Sequence, residues 1–181
     1  LSGRMEDGEV IPDTDLDQAA GLGGTILGSA RSSRFHLPEH RAKAIGHLRG
    51  WGVDGLVVIG GNGSMAGAHA IALQGDVPVV GVPASIDNDI GLTREALGVD
   101  TALNTIVEAC DRISDTARSH HRAFIVEVMG RDSGYLAMAS AVATAADAVL
   151  LPEHGRTFDE VVEAVASCIR KSFSSSRAKR R

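Results

Sequence analysis

Val79-Val80-Gly81-Val82-Pro83-Ala84-Ser85-Ile86-Asp87-Asn88-Asp89 passes from an apolar run, through a Gly-Val-Pro turn, into a polar cluster. Residues 77–80 read as a strand buried on both faces, the pattern of a parallel sheet. In an open α/β sheet, ligands bind in the crevice beyond the carboxyl ends of the strands. Asp87 and Asp89, with Ser85 and Asn88, are therefore delivered to the edge where chemistry usually happens. A surface turn collects the same residue types, because Asp and Asn side chains hydrogen-bond nearby backbone. This stretch alone fits both readings.

The surrounding chain repeats the same unit. Residues 56–59 form an apolar run, followed by Gly60-Gly61-Asn62-Gly63-Ser64 and a helical pattern to about Leu73. Residues 124–128 form another, followed by Met129-Gly130-Arg131-Asp132-Ser133-Gly134 and an alanine-rich helix to about Ala145. A further strand is expected at 148–151. Residues 38–48 read as a helix with Pro38 in its first turn. Over 98–117, Val99, Leu103, Ile106, Cys110 and Ile113 recur at helical spacing on one face. Thr157 and Glu160 make a capping-box pattern ahead of a last helix, whose stripe is Phe158, Val161, Val162, Val165 and Ile169. Strands alternating with helices across short glycine turns imply an α/β fold, a three-layer parallel sheet with helices on both faces.

Composition narrows the function classes. The 181 residues suffice for one domain with a sizeable core, which only 3% aromatic content makes aliphatic. A net charge of −5 argues against non-specific nucleic-acid binding. The two cysteines, Cys110 and Cys168, cannot build a disulfide framework and read as buried helical thiols in a reducing compartment. No apolar run reaches membrane-spanning length, and no signal peptide is visible, so a cytoplasmic setting is the default expectation. Residues 1–20 read as an acidic connection, 21–171 as the folded domain, and 172–181 as a basic tail, non-native or disordered.

Several segments can carry chemistry. The Gly60–Ser64 turn lets backbone approach a ligand, and the following helix start favours anions, with Ser64 as a potential cap. A plain tight turn explains the same residues. Paired with Ser85–Asp89 the turn is more informative: a phosphate donor on one loop requires an acceptor hydroxyl to lose its proton, and a carboxylate on the other can take it. Arg131 offers a fork of donors suited to phosphate beside the permissive Gly130. Arg122 stands at the opposite end of the same apolar run. It is either a solvated strand end or a contribution to a neighbouring subunit's crevice. The glycine-rich stretch 23–31 ends at Arg31 and reads as a surface loop or a phosphate cover. His120 and His121 are adjacent, so they do not converge on one ion; they read as helix-end residues, where a cation suits the dipole.

Gly24-Thr25-Ile26-Leu27-Gly28-Ser29-Ala30-Arg31, Gly60-Gly61-Asn62-Gly63-Ser64, Pro83-Ala84-Ser85-Ile86-Asp87-Asn88-Asp89 and Val128-Met129-Gly130-Arg131 together resemble the 6-phosphofructokinases, in order and spacing, across residues 21–169. The resemblance implies the ATP-binding half of that fold. It also implies transfer of the γ-phosphate of ATP to the 1-hydroxyl of fructose 6-phosphate in glycolysis, with Mg2+. On it, Asp87 is the general base and Arg131 contacts substrate and stabilises transition-state charge. Ser85, at a position usually held by Thr, joins Ile86, Met129 and Gly130 in the sugar-phosphate site. Arg31, Ser32, Gly61, Asn62, Gly63 and Ser64 match the ATP site. Arg122 matches an arginine that crosses a subunit interface, which implies a homo-oligomer, a tetramer in the family. Gly63 and Ala84 resemble the ATP-dependent branch rather than the pyrophosphate-dependent one, which usually has Asp and Lys there.

Three departures stand out. Asn62 occupies the place of a magnesium-linked Asp, and a neutral amide holds a hard cation less well than a carboxylate, which leaves Asp89 as the charged metal candidate. The resemblance implies a first strand and a Gly-Gly-Asp loop ahead of residue 1, and a second domain after residue 171. Ser114 stands where some bacterial members carry an effector-binding Arg. The competing readings are a non-catalytic or inactive truncated homologue and a pyrophosphate-dependent enzyme.

Overall fold

The structure is a computed structural model that describes residues 17–25, 28–75 and 77–178. Most of the acidic stretch, Ile26, Leu27 and residues 179–181 of the basic tail lie outside the described residues. The elements run as a 3₁₀ turn Ser33–His36, α1 Pro38–Gly50, β1 Leu56–Gly60, α2 Asn62–Gly75, β2 Val79–Pro83, α3 Val99–His120, α4 Tyr135–Ala143, a 3₁₀ turn Pro152–His154, and α5 Phe158–Ala178. The last helix thus continues past residue 171, where the basic tail was expected to begin.

β1 and β2 are hydrogen-bonded neighbours. Leu56 N–H reaches Pro78 O at 2.9 Å and Ala84 N–H reaches Gly60 O at 2.9 Å, so the pairing advances the same way along both strands and is parallel. A single parallel bridge joins Ala84 to Leu97. Two expectations need correction. Residues 124–128 and 148–151 carry no strand ladder; their apolar pattern is that of a strand, but a strand also requires a hydrogen-bonding neighbour. Nor are the strands buried on both faces. Val57, Ile59 and Val80 are 67%, 63% and 61% exposed. In β1 burial alternates residue by residue, as it does when one face alone is covered.

The chain divides into two compact units, Leu1–Val58 with Gly63–Gly81, and Ile59–Asn62 with Val82–Arg181. The first is centred on Ile45, Ile71 and Val77, with Phe35, Leu56 and Val79 packed around them. α1 starts at the expected proline and buries Ile45. Gly75, at the end of α2, lies against it so closely that a Cβ would stand 2.7 Å from Ile45 Cδ1. The second unit is centred on Ala96, Val99 and Leu136, with Ile86, Leu103, Ile106, Val128 and Tyr135 around them. Here α3 packs on α4. The α3 stripe faces inward as its spacing demands: Val99 is fully buried and Leu103, Ile106, Cys110 and Ile113 are half-buried. Cys110 and Cys168 are therefore half-buried thiols rather than buried ones. On α5, Val161, Val165 and Ile169 are half-buried, whereas Phe158 and Val162 are exposed.

α3 closes with His121 in the left-handed conformation, φ 52°. Arg122 N–H bonds back to Ala117 O at 3.0 Å, the six-to-one bond of a Schellman motif. His120 is the last residue of α3, the helix-end position at which the sequence places it.

Candidate functional site

Two loops meet at the carboxyl ends of β1 and β2. Gly61 follows β1 and directly precedes α2, so Gly61 and not Ser64 holds the capping position; Ser64 lies inside the first helical turn. Gly61 lies against the second loop: a Cβ there would stand in ordinary van der Waals contact, 3.7 Å from Ser85 Cβ and 3.8 Å from both Ser85 Oγ and Ala84 O. Gly61 and Ser85 both belong to the second unit, and the contact joins Gly61 to the Ser85–Asp89 loop, the juxtaposition that the strand order requires. Asn62, Gly63 and Ser64 form the first turn of α2 and are exposed. Helix starts of this kind offer unpaired N–H groups to an anion. Arg31 and Ser32 belong to the other unit, just ahead of Ser33–His36; Arg31 is exposed and Ser32 half-buried.

The Ser85–Asp89 loop is held by its own side chains. Asn88 takes a left-handed φ of 49°. Its Oδ1 accepts Ala96 N–H at 3.0 Å and its Nδ2 donates to Arg94 O at 3.3 Å, which closes the loop that runs to α3. Ile86 packs on the Ala96–Val99–Leu136 core, and its Cγ2 would stand 3.5 Å from a Cβ on Gly98. Ile86 thus anchors the loop through its side chain. Ser85 and Asp87, on either side of it, are half-buried, and Asp89 is exposed.

The third segment, 129–134, reaches the same loop. Ser133 Oγ donates to the Asp87 carbonyl at 2.7 Å. Gly130 sits at φ 124°, and a Cβ there would fall 2.3 Å from Ser133 O, so only glycine fits this turn. Arg131 Nε donates to Asp132 Oδ2 at 2.9 Å, with both side chains largely exposed. That hydrogen bond, then the charge of Asp132 and the more distant charge of Asp87, raise the Arg131 pKa above its ordinary value. The guanidinium is therefore permanently charged and lies within electrostatic reach of Asp87. Met129 is 72% exposed. Arg122 is exposed and opens the segment that Met129 closes, at the opposite end from Arg131.

The structure thus brings Gly61, Ser85, Asp87, Gly130 and Arg131 into one neighbourhood. Two supporting residues, Ser133 and Glu153, carry no role in the sequence reading, and Asn88 enters it only as a polar group of the loop. Glu153 Oε1 accepts Gly134 N–H at 2.7 Å, a contact that no local spacing announces.

For a divalent cation the candidate donors are both oxygen: the carboxylate of Asp89 and the amide of Asn62, both exposed. Among the described residues no three His, Cys, Asp or Glu side chains form a metal cluster. Mg2+ does not require one, since it keeps several waters and is bound through one or two carboxylates plus substrate phosphates. The residues therefore fit Mg2+ held jointly with a nucleotide.

Comparison with known proteins decides the family. Residues 2–178 match the family described as Phosphofructokinase. The chain belongs to the phosphofructokinase family. It is 49% identical over 155 residues to ATP-dependent 6-phosphofructokinase 2 of Bacteroides thetaiotaomicron, an alignment covering 86% of this chain and 48% of that protein. Among solved structures it resembles Pichia pastoris phosphofructokinase in the T-state, with a TM-score of 0.74 and 35% identity over 85% of this chain and 19% of that one. It also resembles the pyrophosphate-dependent phosphofructokinase of Marinobacter aquaeolei, with a TM-score of 0.68 and 26% identity over 81% of this chain and 40% of that one. The chain spans about half the length of the curated relative it matches. The α/β architecture, with its parallel strand pair and flanking helices, is that of the phosphofructokinase fold. No helix among the described residues is long and apolar enough to cross a membrane.

Proposed function

We propose that the polypeptide to which this chain belongs transfers the γ-phosphoryl group of ATP to the 1-hydroxyl of fructose 6-phosphate. The observation that carries this reading is the convergence of Gly61, Ser85, Asp87 and Arg131, a helix start, a carboxylate and a permanent cation, at one strand edge. The 1-oxygen forms a bond to the γ-phosphorus as the bond from that phosphorus to the β–γ bridging oxygen breaks. The proton of the 1-hydroxyl passes to the Asp87 carboxylate, and ADP leaves. Arg131 offsets charge on the transferring group, and the N–H groups at the start of α2 hold the phosphates of ATP; the resemblance assigns Arg31 and Ser32 to ATP as well. Phosphoryl transfer depends on this kind of positioning and electrostatic stabilisation. Mg2+, when bound through Asp89 and Asn62, neutralises phosphate charge. Ser85, Ile86, Met129 and Gly130 border the sugar phosphate. Arg122, at the far end of its segment, serves a neighbouring subunit's site in a homo-oligomer, and the setting is the cytoplasm.

ATP is favoured over pyrophosphate by the small residues Gly63 and Ala84 and by the greater identity to the ATP-dependent relative. The test uses the full-length polypeptide with each donor in turn. Turnover with ATP is expected, and Asp87→Ala is expected to lower kcat by about 10²–10⁴-fold. Undiminished turnover in that variant, or turnover with pyrophosphate alone, defeats the assignment. Asn62→Asp is expected to tighten the magnesium requirement, read as a lower half-saturating Mg2+ concentration.

A further inference from the structure

Glu153 stands outside the site just described, yet it holds the peptide on which the site rests. It lies in the 3₁₀ turn Pro152–His154, and its Oε1 accepts the Gly134 N–H at 2.7 Å. Gly134 immediately precedes α4 and is buried, and its own position supplies no side-chain cap. The cap comes instead from a carboxylate nineteen residues further along. The fit is close. A Cβ on Gly134 would meet Glu153 Oε2 and Leu151 Cδ2, each at 2.7 Å. The Gly134 N–H also keeps the Glu153 carboxyl below its ordinary pKa, so the acceptor is ionised at neutral pH.

The Gly134 N–H belongs to the peptide that begins at Ser133. Ser133 Oγ donates to the Asp87 carbonyl at 2.7 Å, and the Ser133 carbonyl is the atom that excludes any Cβ at Gly130. Fixing this one peptide therefore fixes two things at once: the backbone of Asp87 and the turn that presents Arg131. We propose that Glu153 is a positioning residue for phosphoryl transfer, acting through Gly134 and Ser133 on Asp87 and Arg131. It touches neither substrate nor nucleotide. A misplacement of about 1 Å at reacting groups can cost roughly 10²-fold in rate, so such a remote anchor has a kinetic consequence.

The kinetic half of this proposal rests on the kinase reading above; a second measurement does not. In the full-length polypeptide, Glu153→Ala removes the acceptor and Glu153→Gln keeps an oxygen acceptor without the charge. Hydrogen exchange followed by mass spectrometry is expected to quicken in Glu153→Ala in peptides covering 130–136 and also in those covering 85–90. Glu153→Gln is expected to stay near the parent in both. A rise confined to 130–136, a uniform rise over the whole molecule, or no rise overturns the proposal. In steady-state kinetics, Glu153→Ala is expected to lose about 10–100-fold in kcat with the KM for ATP within twofold, and Glu153→Gln to recover most of that loss. A Glu153→Ala enzyme with parental kcat, or a Glu153→Gln enzyme as slow as Glu153→Ala, also overturns it. If the parent itself shows no kinase turnover, the kinase reading fails, and the exchange pattern still decides whether Glu153 governs the Asp87 loop.

Discussion

Gly130 shows how narrowly the site is specified at the level of single residues. Its φ of 124° lies where L side chains are strained, and the Ser133 carbonyl occupies the space a Cβ would need. Gly130→Ala must therefore move either the Arg131 turn or Ser133, whose hydroxyl holds the Asp87 carbonyl. Backbone strain of this type costs about 1–3 kcal/mol. The expected outcome is a drop in melting temperature together with a loss of kcat at least as large as that of Ser133→Ala; a fully active Gly130→Ala enzyme would show that the turn relaxes freely. Asp87 and Ser85 are legible in the sequence because they follow an apolar run across a turn. Ser133 and Glu153 are not, because their partners lie 46 and 19 residues away and neither spacing has a local period. Asn88 is visible as a loop residue, but its work of bonding Ala96 N–H and Arg94 O depends on how the chain returns.

Among the elements, helices are the most legible, because a helix satisfies its own backbone. α1 and α3 appear where periodicity and end signals put them, within a few residues; α5 starts where its capping box puts it but runs to Ala178, beyond the Ile169 end of its stripe. The capping box of α5 closes as its pattern requires: Thr157 N–H reaches Glu160 Oε2 at 2.7 Å, and Glu160 N–H reaches Thr157 Oγ1 at 3.4 Å. Thr157→Ala is expected to cost about 0.5–2 kcal/mol, measured by denaturant unfolding. The same box predicts an acid sensitivity. The Thr157 backbone N–H, then its hydroxyl, lowers the Glu160 pKa below the ordinary 4.5. A depressed folded-state pKa means that the stabilisation is complete above about pH 4.5 and fades as pH falls through the lower folded value. Glu160→Gln is therefore expected to flatten the stability-versus-pH curve on the acid side only. Strands are less legible, since an apolar run such as 124–128 becomes a strand only when a neighbour supplies its hydrogen bonds. β1 and β2 have that neighbour in each other.

The described residues form two small cores, and outside them apolar side chains are left in water. Leu136 and Val99 are the largest fully buried side chains, so Leu136→Ala is expected to destabilise the second unit by about 2–5 kcal/mol, whereas the same change at an exposed apolar position costs little. Val57, Ile59, Val80, Phe124, Ile125 and Val126 are all exposed. Burying each such side chain would contribute roughly 1.5–3 kcal/mol, so a chain that leaves them open forgoes much of the stabilisation its sequence can supply. The chain spans about half the length of the relative it matches, and these six exposed residues lie in apolar runs that read from sequence as strands. The physical expectation is that further polypeptide covers them. The 181-residue chain alone should bind an apolar fluorescent dye strongly and self-associate with rising concentration. The full-length polypeptide should bind far less dye per molecule and melt at a higher temperature. Asp substituted for Ile59 or Ile125 separates burial from mere exposure. In the short chain either change should reduce dye binding and self-association with little loss of stability. In the full-length protein the same change would bury an unpaired carboxylate and should lower the melting temperature sharply. Equal effects in both lengths would mean that these side chains face water in the complete protein as well.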